Sequence, residues 1–143
     1  AGRGDVNTYS VFAELNWKLT GEKGRVGCIV PSGIATDDTT KFLFQEFVET
    51  GSLAALFDFE NRAGIFPAVD SRVKFCLLTL KHGGSKEDPA EFVFFAHSVN
   101  DLFDSDRRFT LTADEIALVN PNTKTCPIFR TSRDARIVKE IYE

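Results

Sequence analysis

The chain has 143 residues, of which 43% are hydrophobic, and a formal net charge of −4 at pH 7. This length suffices for a domain with its own core, while the negative balance and the lack of a basic stripe argue against autonomous binding of nucleic acids. No apolar run approaches the roughly 20 residues of a membrane span, and the N-terminus shows no secretory signal, so we expect a cytoplasmic protein that does not bind membranes.

Apolar residues of the first segment recur at helical spacing and predict an amphipathic helix; they are Val6, Tyr9, Phe12, Ala13 and Trp17. Asp5 or Asn7 is the candidate N-cap of this helix. After a glycine-bounded turn, residues 26–30 form an apolar run that does not alternate with polar residues. This run predicts a strand that is buried on both faces.

A second helix and two further strands are predicted before Gly84. Asp37 or Asp38 is the candidate cap of the helix, which ends at about Glu49. Apolar runs over residues 53–59 and 73–80 then predict the second and third strands.

The composition changes after Gly84, where a charged, turn-rich segment begins. The elements predicted beyond it are a strand over residues 92–96, a short helix over 99–103, an extended segment over 109–111, a helix from the cap Thr112 to about Val119, and a final helix over 132–142. We therefore divide the chain into two parts, residues 1–84 and residues 85–143.

The cysteines are expected to be reduced. Cys28 and Cys76 each lie within an apolar run, where a free thiol behaves as a small hydrophobic group. There is no CxxC pair, and His82 and His97 do not have the spacing of metal ligands. The sequence therefore favours buried thiols in a reducing compartment, and it predicts no metal site.

Four segments carry a resemblance to a known family: Asn-Thr-Tyr-Ser-Val-Phe-Ala-Glu at 7–14, Gly-Arg-Val-Gly-Cys-Ile-Val-Pro at 24–31, Ile-Phe-Pro at 65–67, and Asn-Pro-Asn-Thr-Lys-Thr-Cys-Pro-Ile-Phe-Arg at 120–130. In order and spacing they resemble the post-catalytic half of adenine-N6-specific DNA methyltransferases of restriction-modification and phage-exclusion systems. The last segment is similar to the large methylase subunits of that group. The resemblance covers nearly the whole chain, although its first half is shared with many methyltransferases.

The resemblance implies an α/β fold, namely part of the Rossmann-like sheet of class I S-adenosylmethionine-dependent methyltransferases. The three strands before Gly84 would be its fifth, sixth and seventh, the last one antiparallel and lying between the other two. Residues 1–84 would form the rear half of the catalytic domain, with flanking helices. Residues 85–143 would form a small α+β extension that leads toward the target-recognition region.

Two aromatic residues are implied as site residues. An adenine inside a duplex has to be flipped out before its amine is accessible, and an aromatic ring can replace the lost stacking. In the family this base-stacking role falls on the aromatic residue before the proline, here Phe66; the alternative is a core residue among the 14 phenylalanines. Phe12 would bind the adenine of the cofactor, and its alternative is the buried face of an amphipathic helix.

The catalytic motif of the family, Asn or Asp followed by Pro-Pro and an aromatic residue, is absent from the sequence. Asn120-Pro121-Asn122-Thr123 lacks its second proline and its aromatic residue, and it comes after the strands that it should precede. An acidic strand end leading into a Gly-x-Gly loop, the usual cofactor signature, is missing as well. We therefore expect a fragment of a longer enzyme, without catalytic residues, that alone neither binds S-adenosylmethionine nor transfers methyl groups.

Several charged residues have two interpretations. Asp58 and Glu60, at the end of a predicted strand, are either a carboxylate pair for acid–base chemistry or partners of Arg62. The arginines near the C-terminus either contact phosphate in the complete protein or form a solvated helix face; they are Arg130, Arg133 and Arg136.

The leading hypothesis is a fragment of a site-specific methyltransferase that transfers methyl from S-adenosylmethionine to N6 of a flipped adenine. Its expected partners are DNA, through the intact parent, and restriction or phage-exclusion subunits, and the exposed sheet edge of a fragment favours self-association. The alternative is a non-catalytic α/β protein-interaction module derived from a methyltransferase fold. A methyltransferase acting on RNA or protein is disfavoured by the resemblance at 120–130.

Overall fold

Five strands form one mixed sheet in the computed structural model, which describes residues 6–142. The candidate cap Asp5 lies outside the described residues. Along the chain the strands are β1 (Arg25–Pro31), β2 (Leu53–Glu60), β3 (Lys74–Lys81), β4 (Ala90–Ala96) and β5 (Phe109–Leu111). Their order across the sheet is β1-β3-β2-β4-β5.

Strand β3 lies antiparallel between β1 and β2 and pairs with both along its length. The prediction that the third strand is antiparallel and separates the first two is therefore confirmed. Because both neighbours run opposite to β3, β1 and β2 share one direction. β4 pairs in parallel with β2, and β5 closes the sheet antiparallel to β4.

The helices are α1 (Thr8–Leu19), α2 (Gly33–Thr36), α3 (Lys41–Glu49), α4 (Ala113–Val119) and α5 (Ser132–Tyr142). Three short 3-10 turns lie between them, over Asp38–Thr40, Asn61–Ala63 and Val99–Phe103. All five α-helices contribute buried residues to the larger core cluster, together with apolar residues of the sheet. This arrangement makes the protein a mixed α/β fold, as expected.

A smaller apolar cluster occupies the opposite face of the sheet. Its buried members are Phe59, Phe75, Val93, Ala96 and Leu102. Only the last comes from outside the strands, from the 3-10 turn Val99–Phe103. The face away from the α-helices is therefore covered by short segments and loops.

Strand β1 departs from its prediction. Its residues alternate in burial instead of being buried on both faces, and Ile29 is 57% exposed. The reason is that β1 is one of the two outermost strands of the sheet and has a neighbouring strand on one side only. The apolar run 26–30 predicted a strand correctly but predicted the wrong burial.

Two predicted helix starts also differ in detail. Asn7 stands at the N-cap of α1 but makes no side-chain capping bond. Asp37 likewise caps nothing through its side chain, and α3 begins at Lys41, after the turn Asp38–Thr40. In this region the short helix α2 is an element that the sequence pattern did not predict.

The two predicted parts of the chain share one sheet. β4 comes from residues 85–143, and its parallel partner β2 comes from residues 1–84. Cys76 is buried, as its apolar run predicted, whereas Cys28 lies on the edge strand β1 and is only half-buried. Cys126 is buried as well, and all three cysteines are free. Within residues 6–142, none of the helices combines the length and the apolar content that crossing a bilayer requires.

Candidate functional site

The carboxyl ends of β1, β2 and β4 lie together at one end of the sheet, because these three strands run in the same direction. This end is called the carboxyl edge, to distinguish it from the outermost strands. Ligands of open α/β sheets commonly bind at this edge. Here it carries Ser32 after β1, Asn61 after β2 and His97 after β4. The loop 61–73, which joins β2 to β3 and contains Phe66, starts from the same edge.

One buried side chain, that of Asn61, fixes the conformation of this loop. Its Nδ2 donates to the carbonyls of Phe66 and Val69, both at 2.9 Å, and its Oδ1 accepts the Phe66 N–H at 2.9 Å. Gly64 ends the turn after Asn61 with φ 69°, a left-handed conformation that glycine adopts without steric cost. Side-chain hydrogen bonds therefore hold a segment that has little regular secondary structure.

Phe66 lies on this loop and is 37% exposed. Its ring meets that of Phe75 edge-on, with the centroids 5.0 Å apart, and Phe75 in turn stacks on Phe59 at 5.2 Å. Packed aromatic residues thus support part of the Phe66 ring while the rest is accessible. The alternative of a core phenylalanine is wrong, and the stacking of a base on this ring stays a prediction.

Phe12 lies on α1 and is 60% exposed, so it does not belong to the buried face of that helix. The residues that α1 buries are Ala13 and Trp17. A cleft of about 290 Å³ between α1 and the beginning of α3 is lined by Val11 and not by Phe12. The buried-face alternative for Phe12 is therefore wrong, and its contact with a cofactor stays a prediction.

The carboxylate of Asp58 is buried near the end of β2. One of its oxygens accepts the Ser32 hydroxyl; the other accepts the backbone N–H of Phe95 at 3.2 Å and lies 4.0 Å from Nζ of Lys74. These bonds compensate the buried charge. They also tie together the carboxyl ends of β1, β2 and β4.

Strand β4 contains a bulge at this edge, with one extra residue opposite residues 57–59 of β2. Phe95 lies in the bulge with φ 58°, a conformation that residues other than glycine rarely adopt. Bulges redirect side chains and occur often beside functional sites. The ring of Phe95 contacts two cations, Nζ of Lys74 and the guanidinium of Arg130, each 4.2 Å from its centroid.

Glu60 contacts three basic side chains at the carboxyl edge. Its carboxylate lies 2.8 Å from Nε of Arg62, 3.0 Å from Nε2 of His97 and 3.7 Å from Nζ of Lys74. The hydrogen bond with His97 lowers the pKa of Glu60, burial acts against this, and Arg62 and Lys74 lower it further. Glu60 therefore stays ionised near neutral pH, which suits a partner of Arg62 and not a proton donor.

These residues surround an open cleft of about 440 Å³, here called the carboxyl-end cleft. Its charged lining residues are Glu60, Arg62, Asp104, Asp106, Arg107 and Arg130. Arg62 is paired with Glu60, and Nε of Arg107 lies 3.6 Å from Asp104. Within the described part of the chain Arg130 has no carboxylate partner; it contacts the ring of Phe95.

The three arginines near the C-terminus do not share one place. Arg130 lines the carboxyl-end cleft, and Arg136 lines a neighbouring cleft beside β5. Arg133 is exposed on α5, as expected for a solvated helix face. Residues 6–142 contain no group of His, Cys, Asp and Glu side chains arranged to hold a metal ion.

The sequence pattern did not indicate the role of Asn61 or of Phe95. Asn61 comes two residues after the predicted strand 53–59, near its carboxyl end, and this position was a usable signal. Nothing in the sequence marks the bulge at Phe95, because it depends on the pairing of β4 with β2.

No protein-family model matches the chain, and neither does any curated protein. The resemblance to adenine-specific methyltransferases therefore rests on the four sequence segments quoted above.

Proposed function

We propose that the chain is the rear part of the catalytic domain of an adenine-specific DNA methyltransferase, within a restriction-modification or phage-defence system. The intact enzyme transfers the methyl group of S-adenosylmethionine to N6 of an adenine flipped out of the duplex. In this proposal β1, β2 and β3 are the last three strands of the Rossmann-like sheet. The extension after Gly84 adds β4 and β5 beyond β2.

The observation that carries the proposal is the placement of Phe66. A partly exposed ring stands on a loop at the carboxyl edge of parallel strands, and the buried amide of Asn61 holds this loop. A flipped base needs a flat apolar partner, and stacking on an aromatic ring contributes about 1–3 kcal/mol per base. The ring of Phe75 packs edge-on against that of Phe66 and supports it from one side.

The cofactor fits these residues only in part. S-adenosylmethionine supplies an electrophilic methyl group, and Phe12 offers an exposed aromatic face for its adenine. The glycine loop and the acidic strand end that would hold the rest of the cofactor are not in the sequence. We therefore assign this chain a role in holding the target base and none in the transfer step itself.

The test is a substitution of Phe66 in the intact polypeptide that, on this proposal, includes the chain. Phe66→Ala should slow methylation by about 5- to 150-fold, because 1–3 kcal/mol of stacking is lost. N6-methyladenine in hydrolysed DNA, quantified by mass spectrometry, measures the effect. Phe66→Tyr should retain activity since it keeps the ring.

Phe103→Ala is the matched control, because Phe103 is another exposed phenylalanine on a different segment. It should leave methylation unchanged. Equal rates for Phe66→Ala and the native enzyme would remove the stacking role. Absence of gene-dependent N6-methyladenine would overturn the proposed function altogether.

A non-catalytic interaction module is the second candidate. It is favoured by the exposed apolar residues of α1 and β1, namely Val11, Phe12, Leu15, Leu19 and Ile29. Such a surface suits a protein partner as well as it suits further parts of a catalytic domain. The methylation assay separates the two candidates, because a module of this kind forms no methyladenine.

A further inference from the structure

We draw no further inference here: the strongest candidate, the cleft between helix α1 and the beginning of α3 that Val6, Val11 and Leu43 line with apolar side chains, supports none because nothing in the described part of the structure shows what covers it.

Discussion

Three hydrogen bonds of the Asn61 side-chain amide fix the position of Phe66 in its loop. Asn61 donates to two carbonyls of the loop 61–73 and accepts one N–H, and it is fully buried. An aspartate at this position would lack the two N–H donors, and a leucine would lack both these donors and the accepting oxygen. The identity of this residue is therefore set by the loop backbone and not by the apolar packing around it.

Asn61→Ala should lower the free energy of unfolding by about 1–3 kcal/mol, because the loop groups lose their partners in a buried place. Urea denaturation followed by circular dichroism measures this change. Asn122→Ala, on an exposed turn, should stay within about 0.5 kcal/mol of the native chain. A loss of the same size in both variants would show that the amide of Asn61 does not fix the loop.

Local patterns predicted residue contacts where the partners are close in sequence. Glu60 and Arg62 are two residues apart, and their predicted ion pair is present at 2.8 Å. The contact of Asp58 with the Phe95 backbone spans 37 residues and depends on how β4 pairs with β2. No single-sequence pattern contains that pairing, so this part of the candidate site could not be predicted.

Elements were predicted well where the spacing of apolar residues is clear. The third strand, expected over residues 73–80, is Lys74–Lys81, and the final helix over 132–142 has the predicted bounds. Burial was harder, since it depends on the neighbours of an element. Strand β1 is apolar and yet half-exposed because it lies at the sheet edge. Of the apolar residues predicted for the first helix, Ala13 and Trp17 are buried, whereas Val6 and Phe12 are exposed.

Helix α3 connects the other elements through its phenylalanines. Phe47 is fully buried and meets the ring of Trp17 edge-on at 5.3 Å, which joins α3 to α1. Phe47→Ala should lower the free energy of unfolding by about 3–5 kcal/mol, because the cavity cannot close completely. Thermal and urea unfolding of the purified chain measure the loss.

Phe42→Ala is the control for that prediction, because Phe42 lies on the same helix and is 46% exposed. It removes the same ring and should cost clearly less than Phe47→Ala. Alanine forms helices better than phenylalanine, so similar losses in the two variants would contradict the prediction that core burial makes Phe47 the more important residue.

At the scale of the whole molecule, strand β1 is incompletely covered, both along its outer edge and on the face that carries Ile29. β1 has a partner on one side only, and Ile29 on its outer face is 57% exposed beside the half-buried Leu77. Edge strands with apolar neighbours pair readily with other chains. The fold therefore supports the expectation that this chain associates with itself when it is isolated.

The purified chain should show a sedimentation coefficient that rises with protein concentration, and Ile29→Lys should reduce this rise by placing a charge on the edge strand. Ile141→Lys adds the same charge at an exposed apolar position of α5 and should change little. A native chain that sediments as a monomer at every concentration would contradict the prediction. So would an equal effect of both lysines.

The insertion of β3 between β1 and β2 has a consequence for biosynthesis. β1 and β2 are synthesised first but do not pair with each other, because each pairs with β3, which is synthesised later. Until Lys81 has left the ribosome, these apolar segments of the nascent polypeptide cannot pair with the complete strand β3. Late pairing of this kind slows folding and prolongs exposure of aggregation-prone segments, so we expect the yield of native protein to depend on the rate of translation through residues 61–81.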